Sequence, residues 1–374
     1  MGLPNWRPVL LKTHRWLGLT AGLLLMLNAL TGSLMLAARP LDKAVNGHLF
    51  KVAVPPQAVP VTFESIKRSL VAEFGTAASF TIRPIREADE SILVFVRKAD
   101  WAGQAYYDSY TGQRLGVREE HEGFANALFE FHSALLSGDA GKNVLAFNTL
   151  TMLCMLVTGV LLWWPAAKRG AGSRWRGAFS ITLKGGLFRS LFDLHRVGGV
   201  VFGLWVLVCV LTGTFMAWRP ISQWLTQAAG QKQVVAPAVK PAASPAARPV
   251  TVDDLVVNAN AAMPGGIIGY ITLPAKANSP VRIRKKLDDD PHPVGLSTVW
   301  LHPQTGEVLR SDRWSNLDIG TKSYVWIYPL HSGKLAGVFG VIFTAAGGFL
   351  LFGFGLTGTW LWWVRRKLRL SKPA

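Results

Sequence analysis

Four stretches of this chain, 16–38, 144–164, 197–218 and 335–364, contain no charged side chain and no histidine. Each is about 20 residues long or longer, the length an α-helix needs to cross a hydrocarbon core of roughly 30 Å. The pattern predicts four membrane-spanning helices. Between them the periodicity changes. "VTFESIKRSLVAEF" and "VTVDDLVVNANAAM" place apolar residues at helical intervals behind Thr62 and Thr251, residue types that cap helix N-termini. "SFTIRPI" and "SILVFVR", then "IIGYITL" and "PVRIRKK", read as strands, and "AYYDSYTGQRLG" and "TVWLHPQTGEVLR" as hairpins around a Thr-Gly turn. Each long connection is therefore expected to be a small α+β domain.

The expected order is a cytoplasmic N-terminus (1–15), a span (16–38), a periplasmic α+β domain (39–142), a span (143–164), a basic cytoplasmic loop (165–194), a span (195–218), a Pro/Ala-rich linker (219–250), a second α+β domain (251–334), a span (335–364) and a basic tail (365–374). A cleaved signal peptide is the alternative for the first run, which follows basic residues and ends in small ones. Its apolar stretch is longer than a usual signal core, it lacks a clean A-x-A site, and its pattern recurs inside the chain.

Charge fixes the orientation. The net charge of +18 would suit a nucleic-acid partner, but its distribution does not. Segments 1–15, 165–196 and 364–374 hold fifteen Lys/Arg and one acid, Asp193, whereas 39–142 and 219–334 hold twenty-five Lys/Arg against twenty-one acids. This is the positive-inside asymmetry of a protein in a lipid bilayer, with both termini in the cytoplasm and the long connections outside, in the periplasm of a bacterium with two membranes. Trp pairs at 163–164 and 362–363 sit where interfacial anchors belong. The two cysteines, Cys154 and Cys209, lie within apolar runs, so the external domains do not rely on disulfides.

The pattern occurs twice. "THRWLGLTAGLLLMLNALTGSLM" (13–35) aligns without a gap with "LHRVGGVVFGLWVLVCVLTGTFM" (194–216), and "FHSALLSG…TGVLLWW" (131–164) with "LHSGKLAG…TGTWLWW" (330–363). Thr31 follows His14 by 17 residues and Thr212 follows His195 by 17; Thr158 follows His132 by 26 and Thr357 follows His331 by 26. The fold class expected is an integral membrane α-helical protein whose four transmembrane helices come from a duplicated helix–(α+β)–helix unit, the copies related by a pseudo-two-fold axis along the membrane normal.

Four of the eight histidines fall at repeated positions. His14 and His195 belong to the cytoplasmic ends of the first and third helices, His132 and His331 to the periplasmic ends of the second and fourth. The symmetry pairs His14 with His195 and His132 with His331, one pair near each face. Two facing imidazoles without accompanying Cys, Asp or Glu suit a b-type haem better than zinc, which takes four protein ligands or three and a water. Gly18 and Gly22, and Gly199 and Gly203, lie four and eight residues beyond His14 and His195 on the same helix face, where missing side chains leave a slot for a flat macrocycle. Arg15 and Arg196 follow those histidines and could pair with haem propionates. Each feature also has a plainer reading: interfacial histidine, GxxxG-type packing, and positive-inside arginine. His48, His121, His292 and His302 are read as surface or loop residues. From Trp164 back to His132 is roughly 48 Å as one helix, so the helix either projects beyond the core or bends near Gly138 or Gly141.

The paired "LHR…G…G…LTG" helices, the "FHSALLSG…LVTGVLLWW" pattern and the "YDSYTGQRLG" hairpins resemble the PepSY-associated transmembrane family over nearly the whole chain. The resemblance implies PepSY-type periplasmic domains, an iron-regulated bacterial inner-membrane protein, and similarity to siderophore reductases carrying two haems. Carried over, it implies His14, His195, His132 and His331 as axial ligands of two bis-His haem b groups and a ferric siderophore as periplasmic substrate. Some members are fused to a flavodoxin and nucleotide-binding reductase. This sequence ends at "RRKLRLSKPA", so an unidentified separate electron donor is expected. No catalytic nucleophile or general base is expected, because the chemistry is electron delivery. The alternative is a non-enzymatic sensor or assembly factor whose PepSY-type domains bind a peptide or partner. A cleft between those domains, with Trp101, Tyr106, Tyr107, Tyr110, Trp314, Tyr324 and Trp326, is the docking surface to test, against their being ordinary sheet core.

Overall fold

The computed structural model describes residues 6–57, 59–165, 171–231, 235–240, 248–276 and 278–370. Parts of the "KRGAGSRWRG" loop, of the Pro/Ala-rich linker and of both termini lie outside the described residues. In chain order the helices are α1 (Arg7–Leu19), α2 (Ala21–Val45), α3 (Gly47–Phe50), α4 (Phe63–Phe74), α5 (Phe124–Ala134), α6 (Gly138–Trp163), α7 (Ala171–Phe179), α8 (Leu187–Val201), α9 (Gly203–Ala217), α10 (Arg219–Ala228), α11 (Val252–Ala262), α12 (Ile319–Ser332) and α13 (Gly337–Leu370). The strands are β1 (Ser79–Arg83), β2 (Ile92–Arg97), β3 (Ala102–Tyr107), β4 (Arg114–Glu119), β5 (Ile267–Leu273), β6 (Val281–Lys286), β7 (Ser297–Leu301) and β8 (Val308–Asp312). Two units result: a helical one (Met1–Ala38, Ala127–Leu225, Trp326–Ala374) and a sheet-bearing one (Arg39–Asn126, Thr226–Val325).

Among the described residues three helices are long and apolar enough to cross a membrane, four if α8 and α9 form one bent span. Helix geometry is interrupted within two of the four apolar runs. The run 195–218 is broken at Phe202, where α8 and α9 meet at 57°. The run 16–38 is interrupted at Thr20, whose hydroxyl donates to the Trp16 carbonyl, and α2 continues to Val45. Neither break has a proline; at both, the intrahelical ladder is interrupted beside small residues.

The chain bends just after His132, as one of the two expected alternatives had it. Leu135 and Leu136 have φ of 50° and 55°, and Gly138 has 54°. A left-handed non-glycine residue costs roughly 1–2 kcal/mol, and tight contact stands behind these two: a Cβ on Gly141 would lie within bonding distance of the Ala134 carbonyl oxygen. Gly141 thus lets the start of α6 fold back onto the end of α5. The same elbow follows His331, where Gly333 (φ 74°) and Gly340 touch so closely that neither has room for a side chain.

In the sheet unit the strands of the two expected α+β domains join, among the described residues, in one antiparallel sheet of eight strands, ordered β4-β3-β2-β1-β5-β6-β7-β8. The join is β1 with β5, in the register Phe80↔Leu273, Thr81↔Thr272 and Ile82↔Ile271. Both strands had an unpaired edge, and pairing them satisfies both rows of backbone groups. One core spans the join: Ile66 and Leu70 of α4 and Leu255 and Ala259 of α11 cover Phe80, Ile82, Val94, Ile271, Ile283 and Val299 on one sheet face. The two helices cap each other. Asp253 accepts from the Phe63 and Glu64 amides, and Glu64 accepts from the Val252 amide. Thr62 and Thr251 accept from Ser65 and Asp254 as N-caps.

Candidate functional site

Each repeated histidine is seated by a Thr-Gly pair on another helix, and the seating is reciprocal. His14 of α1 reaches Thr158 of α6, Nδ1 to Oγ1 3.0 Å, and His132 of α5 reaches Thr31 of α2 at 3.3 Å. In the other half His195 of α8 reaches Thr357 of α13 at 3.4 Å, and His331 of α12 reaches Thr212 of α9 at 3.0 Å. Each threonine donates its own hydroxyl to a carbonyl of its helix, so its oxygen accepts from the imidazole. Nδ1 of His132 is also 2.9 Å from the Asn28 carbonyl, and that of His331 3.0 Å from the Cys209 carbonyl. His14 and His195 have the Met155 and Phe354 carbonyls as backbone partners. A carbonyl cannot donate, so Nδ1 carries the proton in all four and Nε2 presents a bare lone pair. No Nε2 is hydrogen-bonded to any described residue.

The glycine after each threonine makes room for the ring. A Cβ on Gly32 would fall 2.7 Å from His132 Cε1, on Gly213 3.1 Å from His331 Cε1, and on Gly159 and Gly358 3.3 Å from Cε1 of His14 and His195. The histidines then meet in pairs. The rings of His14 and His195 are 6.5 Å apart between centroids with planes at 88°, and those of His132 and His331 are 6.1 Å apart at 55°. Among the described residues no group of three or more His, Cys, Asp or Glu converges.

A family model, the PepSY-associated TM region, matches residues 11–369. The chain belongs to this family. A comparison with curated proteins found no match. In this PepSY-associated protein the sequence-chosen glycines beside His14 and His195 are open. A Cβ would meet nothing within 4 Å at Gly199, Leu156 at 3.9 Å at Gly203, the Leu17 carbonyl at 3.5 Å at Gly22, and Met155 at 3.4 Å at Gly18. Close helix packing does not demand glycine at any of them.

The two arginines differ. The guanidinium of Arg196 is already engaged with the Gly177, Ala178 and Ser180 carbonyls and the buried Asp193 carboxylate. Arg15 lies over Trp16, and the buried Nε of both arginines has no hydrogen-bond partner. Arg196 thus braces α8 against the preceding loop, while Nε of both arginines is left free to donate. His302, read as a surface residue, is buried: Nδ1 accepts from the Gln304 and Thr305 amides and Nε2 donates to the Lys240 carbonyl. Of the aromatics in the expected cleft, Tyr106, Tyr107 and Trp314 are buried and Trp326 is exposed; the Tyr324 side chain lies outside the described residues. Burial, then the neighbouring Glu73 carboxylate, pushes the Tyr107 hydroxyl well above its ordinary pKa. Thr31, Thr158, Thr212, Thr357 and their glycines were missed as site residues, although their matched spacings of 17 and 26 were in view.

Proposed function

We propose that this protein is a haem b oxidoreductase of the bacterial inner membrane that passes electrons outward to reduce a periplasmic ferric chelate, a siderophore complex, releasing Fe(II) for uptake. The observation that supports it is the pair of His–His contacts with every Nδ1 tied and every Nε2 free. A metal–imidazole bond is about 2 Å, and a ring centre lies about 1.2 Å behind Nε2, so two imidazoles facing each other across a shared metal ion would have centroids about 6.4 Å apart. The observed 6.5 and 6.1 Å bracket that value. That spacing supports two bis-His haems, one of which His14 and His195 would hold and the other His132 and His331.

When bound, such a haem supplies reversible one-electron transfer with no open coordination position for oxygen. The chain's own contribution is orientation. The Thr and carbonyl acceptors fix the tautomer and ring direction and raise the basicity of Nε2. His14 and Thr31, which mark the two layers on the first helix pair, are separated by about 25 Å at 1.5 Å per residue, most of the roughly 30 Å apolar thickness. The basic loop and tail support a cytoplasmic side for the His14 layer. The repeated elbow, the reciprocal Thr–His contacts and the mirrored strand order support the reading of the chain as a duplicated unit.

The test is an absorption spectrum of detergent-purified protein from haem-replete cells, before and after dithionite. A low-spin b-type spectrum with two haems per chain, falling to one in His14→Ala and in His132→Ala, is expected. A colourless, folded preparation would overturn the reading and favour a PepSY-type binding or assembly role.

A further inference from the structure

The sheet face opposite α4 and α11 gathers more guanidinium groups than carboxylates. Residues alternate along each strand, so Thr81 and Arg83 of β1, Tyr270 and Thr272 of β5, and Arg282 and Arg284 of β6 lie opposite the buried Phe80, Ile82, Ile271 and Ile283. The register sets Thr81 against Thr272, Arg282 against Thr272 and Arg284 against Tyr270. Arg86, just beyond β1, joins them electrostatically through Arg83 and Tyr270. All four arginines are half-buried.

Their partners are few. Glu90 takes the Arg83 guanidinium and lies 3.9 Å from Lys43. Asp290 acts on Arg284 from nearby, but its carboxylate is occupied by the His292, Leu296 and Ser297 amides. Arg282 and Arg284 make no hydrogen bond or ion pair with any described residue. One terminal nitrogen of Arg86 and Nε of Arg83 are buried without a partner. Burial first, then the adjoining like charges, holds the Arg86 and Arg284 guanidinium groups below their ordinary pKa. Aromatic rings flank the cluster: Phe95 meets Tyr270 edge-on at 6.2 Å, and Arg282 lies 5.9 Å from the Trp300 ring centre.

We infer that this face binds the iron substrate as an anion, and that the chelate is of the multiply charged catecholate or hydroxycarboxylate kind rather than a neutral trihydroxamate. That the anion is a ferric chelate rests on the function proposed above; the anion site itself does not. Three catecholates, each a dianion, leave Fe(III) as a trianion, whereas three hydroxamates neutralise it. Guanidinium forks match paired oxygen donors, and flat rings stack on flat rings. Here the forks stand among Phe95, Tyr270 and Trp300.

The experiment is equilibrium dialysis of the full-length protein in phosphatidylcholine nanodiscs without any electron donor, against radiolabelled Fe(III) in a hexadentate tris-catecholate and in a neutral tris-hydroxamate. The expected result is about tenfold or greater preference for the trianion at low salt, the scale of one charge-assisted contact, shrinking as salt rises. Arg282→Gln/Arg284→Gln should abolish the preference. Arg310→Gln, whose guanidinium already pairs with Asp312, should keep it. Equal binding of the two chelates by the unaltered protein, or a preference unchanged in the double variant, overturns the inference; so does loss of chelate binding when phosphatidylglycerol enters the disc, which marks the face as a lipid contact. Haem content is read on the same samples. A colourless preparation that prefers the trianion refutes the electron-transfer reading alone, and a haem-loaded one without preference refutes the anion site alone.

Discussion

Gly32→Ala is the sharpest perturbation of the histidine sites. The new Cβ would lie 2.7 Å from Cε1, 3.2 Å from Nδ1 and 3.5 Å from Nε2 of His132. Ordinary carbon–carbon contact begins near 3.4 Å, so the ring must retreat by about 0.7 Å. It cannot do so freely, because Nδ1 is tied to the Asn28 carbonyl at 2.9 Å and to Thr31 at 3.3 Å, beside the new methyl. Overpacking of this kind costs about 1–3 kcal/mol, or roughly five- to 150-fold in a binding constant. The loss should fall on the His132–His331 site alone. The same change at Gly213 meets 3.1 Å, and at Gly159 and Gly358 3.3 Å, which a few tenths of an ångström of movement relieves. The expected order of haem loss is Gly32 first, Gly213 second, then the other two. Pyridine haemochromogen content per chain, with the low-spin signals resolved by electron paramagnetic resonance, measures it. Full, unchanged occupancy in Gly32→Ala, or greater loss in Gly159→Ala, would refute the argument that these glycines are the ring seats.

Thr158→Val keeps the shape and removes one acceptor of His14, leaving the Met155 carbonyl, so it should shift the midpoint potential of one haem and leave the other unmoved in a redox titration. The 88° and 55° ring pairs should give two distinguishable low-spin resonance signals, each lost with its own histidine. Asp253→Ala leaves the Phe63 and Glu64 amides uncapped and should lower the stability of the sheet unit by about 1–2 kcal/mol, read as a lower Tm with haem content unchanged. Burial raises the pKa of the Glu90 carboxyl, but the Arg86 amide, Arg83 and Lys43 together bring it below its ordinary value of 4.5. The folded pKa being the lower one, the stabilisation is complete above the unfolded value and is lost as pH falls through the folded one. The Tm difference between the unaltered protein and Glu90→Gln should therefore be present at pH 6 to 7, about two units above that value, and vanish in acid; a difference that persists in acid assigns Glu90 a packing role instead.

Much of this was legible along the chain because it depends on local pattern. The apolar runs, the capping Thr62 and Thr251, and the repeated histidines are properties of single segments. What was not legible depends on which segments face each other. Thr31-Gly32 and Thr158-Gly159 repeat at fixed distances from histidines, but spacing gives a position along a helix and not the helix opposite, so Gly18 and Gly22, in the same apolar run as His14, drew attention instead. The period-two placement of Arg282 and Arg284 in "PVRIRKK" puts both on one face. Their meeting with Arg83 follows only from the β1–β5 join, and an alternating strand carries no mark of which edge it pairs. The elbow after His132 was half visible: Gly138 and Gly141 signal a turn, whereas positive φ at Leu135 and Leu136 is forced by the contact between α5 and α6.

Reciprocity has a consequence for how the sites are held. Within each half, the first helix pair supplies the seat for the histidine of the second, and the second for that of the first, so two contacts fix one helix against the other at both ends. Neither half brings two imidazoles together by itself, since His14 and His132 belong to different layers. Each pair takes one ring from each half, and both rings arrive with the tautomer already chosen. Ring orientation is thus settled inside a half, and ring separation by how the halves meet. The His132–His331 rings are the more confined, with the nearer glycines behind both and the shorter separation. The His14–His195 rings have wider seats and stand nearly perpendicular. Two cofactors with the same ligand chemistry would then sit in unlike clamps, and unlike clamps tune one ligand set to two potentials. A potential step of the right sign between them would favour electron flow in one direction.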